Sequence, residues 1–154
     1  MTLCSVYMQT FITHKNMAIS AKNLDNKRLG KQRVEALQIF ECLMVKESKS
    51  YKNKSMRNHK AVKMWKGYEK FLLEVYITEI LFEWQIIRGF KNIKCLSKYK
   101  KYMKYTEKQS LVKPLWITNE FIESHRSSLI EKNPQHYKTL FPNTIEKVKC
   151  IWPT

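Results

Sequence analysis

The sequence predicts an all-α protein, a mostly helical single domain with long basic loops. Of its 154 residues 44% are hydrophobic and only three are glycine, a composition typical of a globular, helical chain. Apolar residues recur at the spacing of one helix face in several segments, whereas strand signals are scarce. A chain of this length can bury a substantial core, so we expect residues 1–154 to form one domain.

The first helical pattern follows residues 1–16, which contain short β-like or irregular pieces. Asp25 can cap a helix that continues to about Glu47. The polar segment KESKSYKNKS, residues 46–55, is expected to be a basic loop. The apolar face of the predicted helix consists of Leu29, Ala36, Leu37, Phe40, Leu43 and Met44.

A longer helical pattern begins near Asn58 and reaches Arg88, because Gly89 is a typical helix-terminating residue. Residues 91–113 contain eight lysines interleaved with three tyrosines, and they form either a helix or a mobile basic loop. The buried stripe of the long helix is expected to contain Trp65, Tyr68, Leu72, Val75, Tyr76, Ile80 and Ile87.

The charge balance is strongly positive, with 29 Lys and Arg against 13 Asp and Glu, a net charge of +16. Such an excess causes self-repulsion, so a polyanionic partner is expected, nucleic acid ahead of an anionic membrane surface. An AT-rich genome, which enriches Lys, Ile and Asn, is the alternative explanation. We expect DNA as the partner and no membrane insertion, because glutamates interrupt the most apolar stretch, FLLEVYITEILFEW.

The four cysteines lie far apart, at positions 4, 42, 95 and 150, and form no C-x-x-C pair. This spacing argues against a zinc ribbon and against a compact disulfide framework. No secretory signal is visible. We therefore expect reduced thiols and a cytoplasmic or nuclear location, with a viral origin compatible with the residue usage; no metal or cofactor is expected.

The stretch LDNKRLGKQRVEALQIF, residues 24–40, carries the first candidate site. On a helix, Arg28, Gln32 and Glu35 fall on one side. A carboxylate surrounded by cations can stabilise a cationic intermediate or transfer a proton, and its pKa is lowered by the cations and raised by burial. The alternative is an ordinary surface salt bridge between Lys31 and Glu35.

A second candidate site lies in RNHKAVKMWKGYE, residues 57–69. Asn58 is a plausible N-cap, which would put His59 in a first helical turn where a phosphate could bind. Trp65 and Tyr68 could stack on bases. Aromatic residues at helical spacing are more often part of a core, and we favour that role for both.

The third candidate, ESHRSSLIEKNPQHY, covers residues 123–137, in a helix expected from about Thr118 to Lys132. Pro134 disfavours helical geometry before it and can open a short further turn. His136 and Tyr137 follow that turn directly. Serines in the stretch can donate to phosphate oxygens. The histidines lack a carboxylate or cysteine at metal-ligand spacing, which disfavours a metal site.

Two residues of this stretch have competing interpretations. His125 shares a helical face with Ile122 and Leu129, so it is either a core histidine or a reactive group. Arg126, if it faces inward, needs an anionic partner, either Glu35 or a phosphate. We expect residues 125–137 to form one wall of a cleft whose opposite wall carries Arg28 and Glu35. The alternative is a solvated helix end.

Taken together, the three blocks resemble a known family. Over about residues 8–153 the chain is similar to a family of small proteins. The segments that carry the similarity are LDNKRLGKQRVEALQI, NHKAVKMWKGYE with EWQIIRG, and SHRSSLIEKNPQHY with a final WP. That family is grouped with the pyrimidine-dimer DNA glycosylases, the endonuclease V type known from phage. The resemblance to the phage enzyme rests on the N-terminal start, the all-α fold and a basic helix with Arg and Glu.

The resemblance implies base excision at ultraviolet photoproducts, with an extruded nucleotide in a basic cleft. In the phage-type mechanism an N-terminal α-amine attacks the sugar C1′, and a glutamate assists ring opening and strand cleavage. The glutamate corresponds to Glu35, and the amine would be that of Thr2 after loss of Met1. The expected DNA-binding residues are Arg28, Lys31, Arg33, Asn58, His59, Arg126, His136 and Tyr137, with His125 as an additional catalytic candidate.

The nucleophile departs from the family pattern. Similarity begins at MQTF, residues 8–11, so residues 1–7 are expected to be an N-terminal extension. A start at Met8 would put Gln9 next, which normally keeps the methionine. A lysine could act instead through a Schiff base, if desolvation lowered its pKa.

The sequence therefore predicts a DNA-repair enzyme, a pyrimidine-dimer-type DNA glycosylase with abasic-site lyase activity as a further expectation. One alternative is a non-enzymatic basic protein that binds or packages DNA. Another is a phosphate-handling nuclease that uses His125, Arg126 and His136. Convergence of Glu35, His59, Arg126 and His136 in one cleft would favour an enzyme.

Overall fold

The computed structural model describes residues 8–153, which form helices joined by short segments and contain no β-strand. The all-α prediction is confirmed. The α-helices are α1 (Met17–Asn23), α2 (Asn26–Met44), α3 (Lys49–Lys52), α4 (Lys54–Arg57), α5 (Lys60–Trp65), α6 (Glu69–Phe71), α7 (Thr78–Phe82), α8 (Ile93–Tyr102), α9 (Asn119–Lys132) and α10 (Pro134–Leu140). π-Helical turns, Leu72–Ile77 and Glu83–Ile87, flank α7, and a 3₁₀ turn, Met103–Tyr105, extends α8.

Helix α2 is the central element of the core and contacts α3, α5, α7 and α8. Most of its predicted apolar face is buried, with Leu29 and Phe40 both fully inaccessible, whereas Leu43 and Met44 are partly buried. Asp25 occupies the N-cap position, but its carboxylate makes no bond to the helix N–H groups. It accepts a hydrogen bond from the Tyr137 hydroxyl instead. The start of α2 is thereby attached to α10.

An extended segment, residues 8–13, runs through the core beside α2, and every residue in it is at most 3% exposed. A buried backbone without a strand partner must find side chains for its polar groups. The Phe11 N–H donates to Gln32 Oε1 at 2.7 Å, and the Ile12 N–H donates to His125 Nδ1 at 3.0 Å. These polar side chains therefore hold the segment against α2 and α9.

The predicted long basic loops are mostly helical. Residues 46–55 contain α3 and the first half of α4, which begin where the Ser48 and Asn53 side chains accept hydrogen bonds from the N–H groups of Tyr51 and Met56. These caps satisfy N–H groups that a short helix leaves free. The first part of 91–113 is α8, so the helical alternative is correct there.

The predicted helix from Asn58 to Arg88 is interrupted. Gly67 adopts a left-handed φ of 91° between α5 and α6, a conformation that glycine tolerates and other residues rarely adopt. The helix stops before Gly89, as predicted, with φ 72°. Trp65 is fully buried, which confirms its core role, whereas Ile87 is 61% exposed and does not belong to the buried stripe.

The remaining expectations concern the membrane and the thiols. No helix within residues 8–153 is long and apolar enough to cross a bilayer. Cys42 and Cys95 carry free thiols. Cys150 is disulfide-bonded, so the expectation of reduced thiols is wrong for that residue.

Candidate active site

Glu35 lies half-buried on α2, and its carboxylate is held by a network of buried polar groups. It accepts a hydrogen bond from the backbone N–H of Gln9 and one from Gln32 Nε2 at 3.2 Å. Gln32 Nε2 also donates to the Gln9 carbonyl at 2.6 Å, while its Oε1 accepts from the Tyr76 hydroxyl at 2.5 Å. The orientation of Glu35 is therefore fixed by side chains that cannot move freely in the core.

The environment of Glu35 favours its protonated form. Burial raises its pKa to about 6, and this effect exceeds the lowering by the Gln9 N–H and by the cations Lys31, Arg28 and Lys132. A carboxyl group with such a pKa can both release and accept a proton near neutral pH. The structure thus gives Glu35 the property that acid–base chemistry requires.

The cations around Glu35 come from two helices. Arg28 and Lys31 precede it on α2, as the helical spacing predicts, and Lys132 is the last residue of α9. Lys132 was not singled out by the sequence, because only the packing of α9 against the rest of the core brings it to α2. Its pKa is lowered by burial and then by the charges of Arg28 and Lys31.

Glu35 also lines a surface groove of about 540 Å³. Gly30 and Trp84 both line it and pack closely, since a Cβ atom at Gly30 would lie 3.1 Å from Trp84 Cη2. The Trp84 ring thus forms an aromatic wall of the groove, beside the face of α2 that carries the Glu35 carboxylate. Its full lining is Asn26, Lys27, Gly30, Lys31, Val34, Glu35, Gln38 and Trp84.

Arg33 is not part of the lining of this groove, but it contacts Trp84. Its guanidinium carbon is 4.4 Å from the centre of the Trp84 ring, a cation–π contact. Its Nη1 donates to Asn92 Oδ1 at 3.1 Å, beside α8. Arg33 therefore positions the aromatic wall, and its predicted DNA contact stays a prediction.

The structure places His125 in the core. Its side chain is fully inaccessible, its Nδ1 accepts from the Ile12 N–H, and burial lowers its pKa to about 3. The core-histidine alternative is therefore correct, and the prediction that His125 faces a cleft is wrong. The serines at 124, 127 and 128 are buried as well and do not face solvent.

Arg126 pairs with an anionic side chain that the sequence did not single out. Its Nη1 donates to Glu123 at 3.1 Å and its Nε to the Thr13 carbonyl at 2.9 Å. The guanidinium lies 4.7 Å from the centre of the Phe141 ring. The alternative that pairs Arg126 with Glu35 is therefore wrong, and its contact with a phosphate stays a prediction. Arg126 lines separate pockets with His14 and Glu123.

The residues at the start of α10 contact the first helices. His136 is exposed, and its Nε2 lies 3.0 Å from the Asn23 carbonyl oxygen. Tyr137 is fully buried, and burial, followed by its hydrogen bond to Asp25, raises its pKa far above the ordinary range. Arg28 is close enough to Tyr137 to influence that pKa. Tyr137 thus fixes the end of the 123–137 stretch beside the Glu35 cations.

The second candidate block lies elsewhere. Asn58 ends α4 and does not cap α5, so its predicted N-cap role is wrong. His59 is the cap, with Nδ1 accepting from the Ala61 N–H at 3.0 Å, and its ring packs against Trp152. Burial lowers the pKa of His59. Its described contacts include none with the Glu35 cluster.

Glu35, His59, Arg126 and His136 share no contact or pocket among the described residues, so the convergence that would favour an enzyme is not seen. The residues that do come together are Arg28, Lys31 and Glu35 with Lys132. Thr2 lies outside the described residues. Within residues 8–153, no three His, Cys, Asp or Glu side chains are grouped so that they could hold a metal ion.

Comparison with known families adds to this geometry. The sequence model of the pyrimidine dimer DNA glycosylase family matches residues 8–98, more than half of the chain. The chain belongs to this family. The glycosylase match begins at Met8, contains the whole of α2 with Glu35 and includes Trp84. Comparisons with curated proteins and with solved structures gave no match.

The family match ends within α8, so α9 and α10 lie beyond it. The candidate site therefore combines two parts of the chain. The carboxylate, its hydrogen-bond network and two of its cations come from the glycosylase segment, whereas Lys132 comes from α9. The wider resemblance of residues 99–153 to the family stays a prediction.

Proposed function

We propose that the protein excises damaged pyrimidines from duplex DNA and cleaves the strand at the resulting abasic site, with Glu35 as the proton-transferring group. The observation that carries this proposal is the half-buried Glu35, whose pKa is raised to about 6 although three cations surround it. Family membership supports the glycosylase class of reaction. The net charge of +16 supports DNA as the substrate.

The reaction requires an amine that bonds to the sugar C1′ while the C1′–N bond to the base breaks. The departing base takes the bonding electron pair and then a proton. Glu35 in its protonated form donates to O4′ as the sugar ring opens, and the nitrogen, which loses two protons in total, is left as an imine. The Glu35 carboxylate then accepts the C2′ proton, and the C3′–O3′ bond breaks with its electrons going to O3′, so that the downstream strand departs with a 5′ phosphate.

The surrounding cations suit this chemistry. Arg28 and Lys31 flank Glu35 and can bind backbone phosphates of an extruded nucleotide. The Glu35 groove offers a concave surface with Trp84 as its aromatic wall. The proposed reaction uses no cofactor. Because the proposed substrate is DNA, we also propose that the protein acts in a compartment that contains DNA.

The rival functions receive less support. A nuclease based on His125, Arg126 and His136 would need groups that are already engaged with Ile12, Glu123 and the Asn23 carbonyl. A non-enzymatic DNA-binding protein would account for the charge. Such a DNA-binding role does not explain why a buried hydrogen-bond network holds the Glu35 carboxylate among three cations.

The test uses a duplex with one cyclobutane pyrimidine dimer and the same duplex without damage. We expect glycosidic-bond cleavage and strand cleavage only at the dimer. The excised pyrimidine stays linked to its neighbour through the cyclobutane ring, so the reaction is followed by the broken strand and not by free base. Glu35→Gln should reduce the rate by about 10²–10⁴-fold, the usual contribution of a general acid–base group. Binding to undamaged duplex should stay within a few-fold, because the substitution leaves the cations in place.

Glu123→Gln is the matched control, since Glu123 is a half-buried glutamate that pairs with Arg126 away from the groove. It should retain the cleavage rate. Equal cleavage of damaged and undamaged DNA, or none of either, would contradict the proposed function. A fully active Glu35→Gln variant would remove Glu35 from the mechanism.

A further inference from the structure

A short loop beside the Glu35 groove, residues 88–92, is fixed to the core at its start. Arg88 Nη2 donates to the Leu24 carbonyl at 2.6 Å, and Arg88 Nε donates to Glu83 at 3.0 Å. Gly89 then turns the chain with its left-handed φ of 72°. The loop is thereby attached to the junction between α1 and α2.

The middle of the loop contacts the aromatic wall of the groove. The Phe90 N–H donates to the Trp84 carbonyl at 3.1 Å, and the centres of the two rings are 4.3 Å apart. The indole N–H of Trp84 donates in turn to the Lys91 carbonyl at 2.9 Å. Phe90 and Lys91 therefore lie at the edge of the groove.

The end of the loop is fixed through Arg33. Its Nη1 donates to Asn92 Oδ1 at 3.1 Å, while its guanidinium stacks on Trp84. Asn92 is buried, and Ile93 follows it directly as the first residue of α8. Ile93 is nevertheless 80% exposed. A buried amide and a cation–π contact thus precede an isoleucine that stands in water.

The exposed apolar side chains of this region form a group. An isolated apolar residue on a surface is ordinary and requires no explanation. Here several lie within residues 82–93, and Val34, which lines the groove, is exposed as well. Such a concentration on a rigid support indicates a surface that a partner covers. The exposed apolar residues of the 82–93 segment are Phe82, Ile86, Ile87, Phe90 and Ile93.

The charges around the loop indicate which partner covers it. Lys91 and Lys94 are exposed on either side of Ile93, and Lys27 and Lys31 line the groove. An apolar tip between cations is complementary to a DNA base step, which is apolar and lies between phosphates. A second copy of the chain fits less well, because a symmetric contact would bring the same lysines together.

We propose that Ile93, supported by Phe90, is a wedge that enters the base stack of the bound duplex beside the damaged pyrimidine. The inference rests on the proposed function and deepens it, because it names the side chains that separate the damaged nucleotide from its neighbours. The wedge fills the space in the stack as the pyrimidine turns out toward the groove. Its rigid attachment matters, since a mobile side chain would yield to the stacked bases.

The experiment measures the kink that a wedge produces in DNA, with the full-length protein. The probe is a short duplex with a fluorescent dye at each end and one tetrahydrofuran abasic analogue, which has no base to release and forms no imine. An apolar wedge kinks a duplex by roughly 20–90°, so energy transfer between the dyes should rise on binding. Cleavage of a duplex with one cyclobutane pyrimidine dimer is measured in parallel.

Ile93→Ala removes the tip of the wedge and leaves the rest of the loop in place. The kink should be lost, and kcat/KM on the dimer should fall about tenfold or more, because three carbon atoms no longer leave water. The melting temperature and the affinity for undamaged duplex should stay close to those of the wild type, since the side chain is exposed. Ile93→Leu keeps the apolar volume and should retain both the kink and the cleavage rate.

Leu115→Ala is the matched control. Leu115 is 85% exposed, and it precedes Trp116, whose indole N–H donates to the Met64 carbonyl of α5 at 3.0 Å. This variant loses a similar exposed side chain from another part of the surface. It should kink and cleave DNA as the wild type does.

The outcomes separate the wedge from the proposed function. Unchanged kinking and cleavage in Ile93→Ala, an equal loss in Leu115→Ala, or dimer cleavage by the wild type without a kink would overturn the wedge and keep the glycosylase function. A dimer in sedimentation that Ile93→Ala abolishes, with kinking unchanged, would assign the surface to a second copy and overturn the wedge as well. Kinking without any cleavage of the dimer would overturn the proposed function and keep Ile93 as a DNA contact.

Discussion

At the scale of single residues, Glu35 illustrates how a half-buried carboxylate lowers the stability of the structure that holds it. Its carboxyl group has a pKa of about 6 in the folded protein, against an ordinary value of 4.5. The folded state thus binds the proton more tightly than the unfolded chain. Glu35 supports folding fully below about pH 4.5, and that contribution is lost as the pH rises through about 6.

Glu35→Gln should therefore stabilise the protein above pH 6, because the neutral amide avoids the cost of a half-buried charge. The melting temperature of the variant should exceed that of the wild type at pH 8, and the difference should shrink as the pH falls from 8 to 4.5. Thermal unfolding across this range measures it. A variant that is less stable than the wild type at pH 8, or a gain independent of pH, would contradict the argument.

The same scale shows what residue chemistry predicts. The grouping of Arg28, Lys31 and Glu35 follows from helical spacing alone, and the structure preserves it. His125 illustrates the opposite case, since its chemical type suggested a site while its spacing with Ile122 and Leu129 indicated the core. Spacing was the better guide, because burial is decided by the helix face and not by reactivity.

At the scale of elements, the helices whose apolar residues recur over several turns could be predicted from the sequence. The points at which the structure breaks those helices were harder to predict. Helix α9 matches its predicted bounds because Thr118 caps it and Pro134 follows it. The helices α3 and α4 were missed because two caps, and no hydrophobic periodicity, define them. The position of Lys132 beside α2 depends on long-range packing, which no local pattern in the sequence encodes.

The crossing of α2 with the π-helical turn that contains Trp84 gives a prediction for Gly30. An alanine Cβ there would lie 3.1 Å from the Trp84 ring. The Trp84 ring cannot shift easily, because Arg33 stacks on it and the centre of the Phe90 ring lies 4.3 Å from its own centre. The indole N–H of Trp84 also donates to the Lys91 carbonyl. Gly30→Ala should lower the melting temperature, although alanine gains about 1 kcal/mol in helix propensity.

The background of Trp84→Ala provides the control for this prediction. With the ring removed, Gly30→Ala should raise the melting temperature, because only the helix-propensity gain of about 1 kcal/mol remains, roughly 2–4 °C in a chain of this size. The double-mutant cycle thus predicts a reversal of sign. A stabilising effect in both backgrounds would show that the crossing has room for a methyl group.

At the scale of the whole molecule, the charge excess was the most evident property of the sequence, yet it does not specify a site. Most of the lysines are exposed on the helices and can contact phosphates without sequence preference. What distinguishes the Glu35 groove is the burial of one carboxylate within this positive field. Binding and chemistry should therefore respond differently to changes in charge and in salt.

The salt dependence of DNA binding tests this distinction. Each phosphate that the protein neutralises adds about 0.9 to the slope of log affinity against log salt concentration, so several contacts give a steep decline. Lys27 borders the Glu35 groove, whereas Lys52 lies in α3, which packs against the other end of α2. If the duplex is centred on the groove, Lys27→Gln should reduce the slope by about 0.9 and Lys52→Gln should leave it nearly unchanged.

Fluorescence anisotropy of a labelled duplex at several salt concentrations measures the slopes of the wild type and of the two variants. A flat wild-type response would remove nucleic acid as the partner, and an equal loss in both variants would place the duplex across the whole of α2 instead of at the groove.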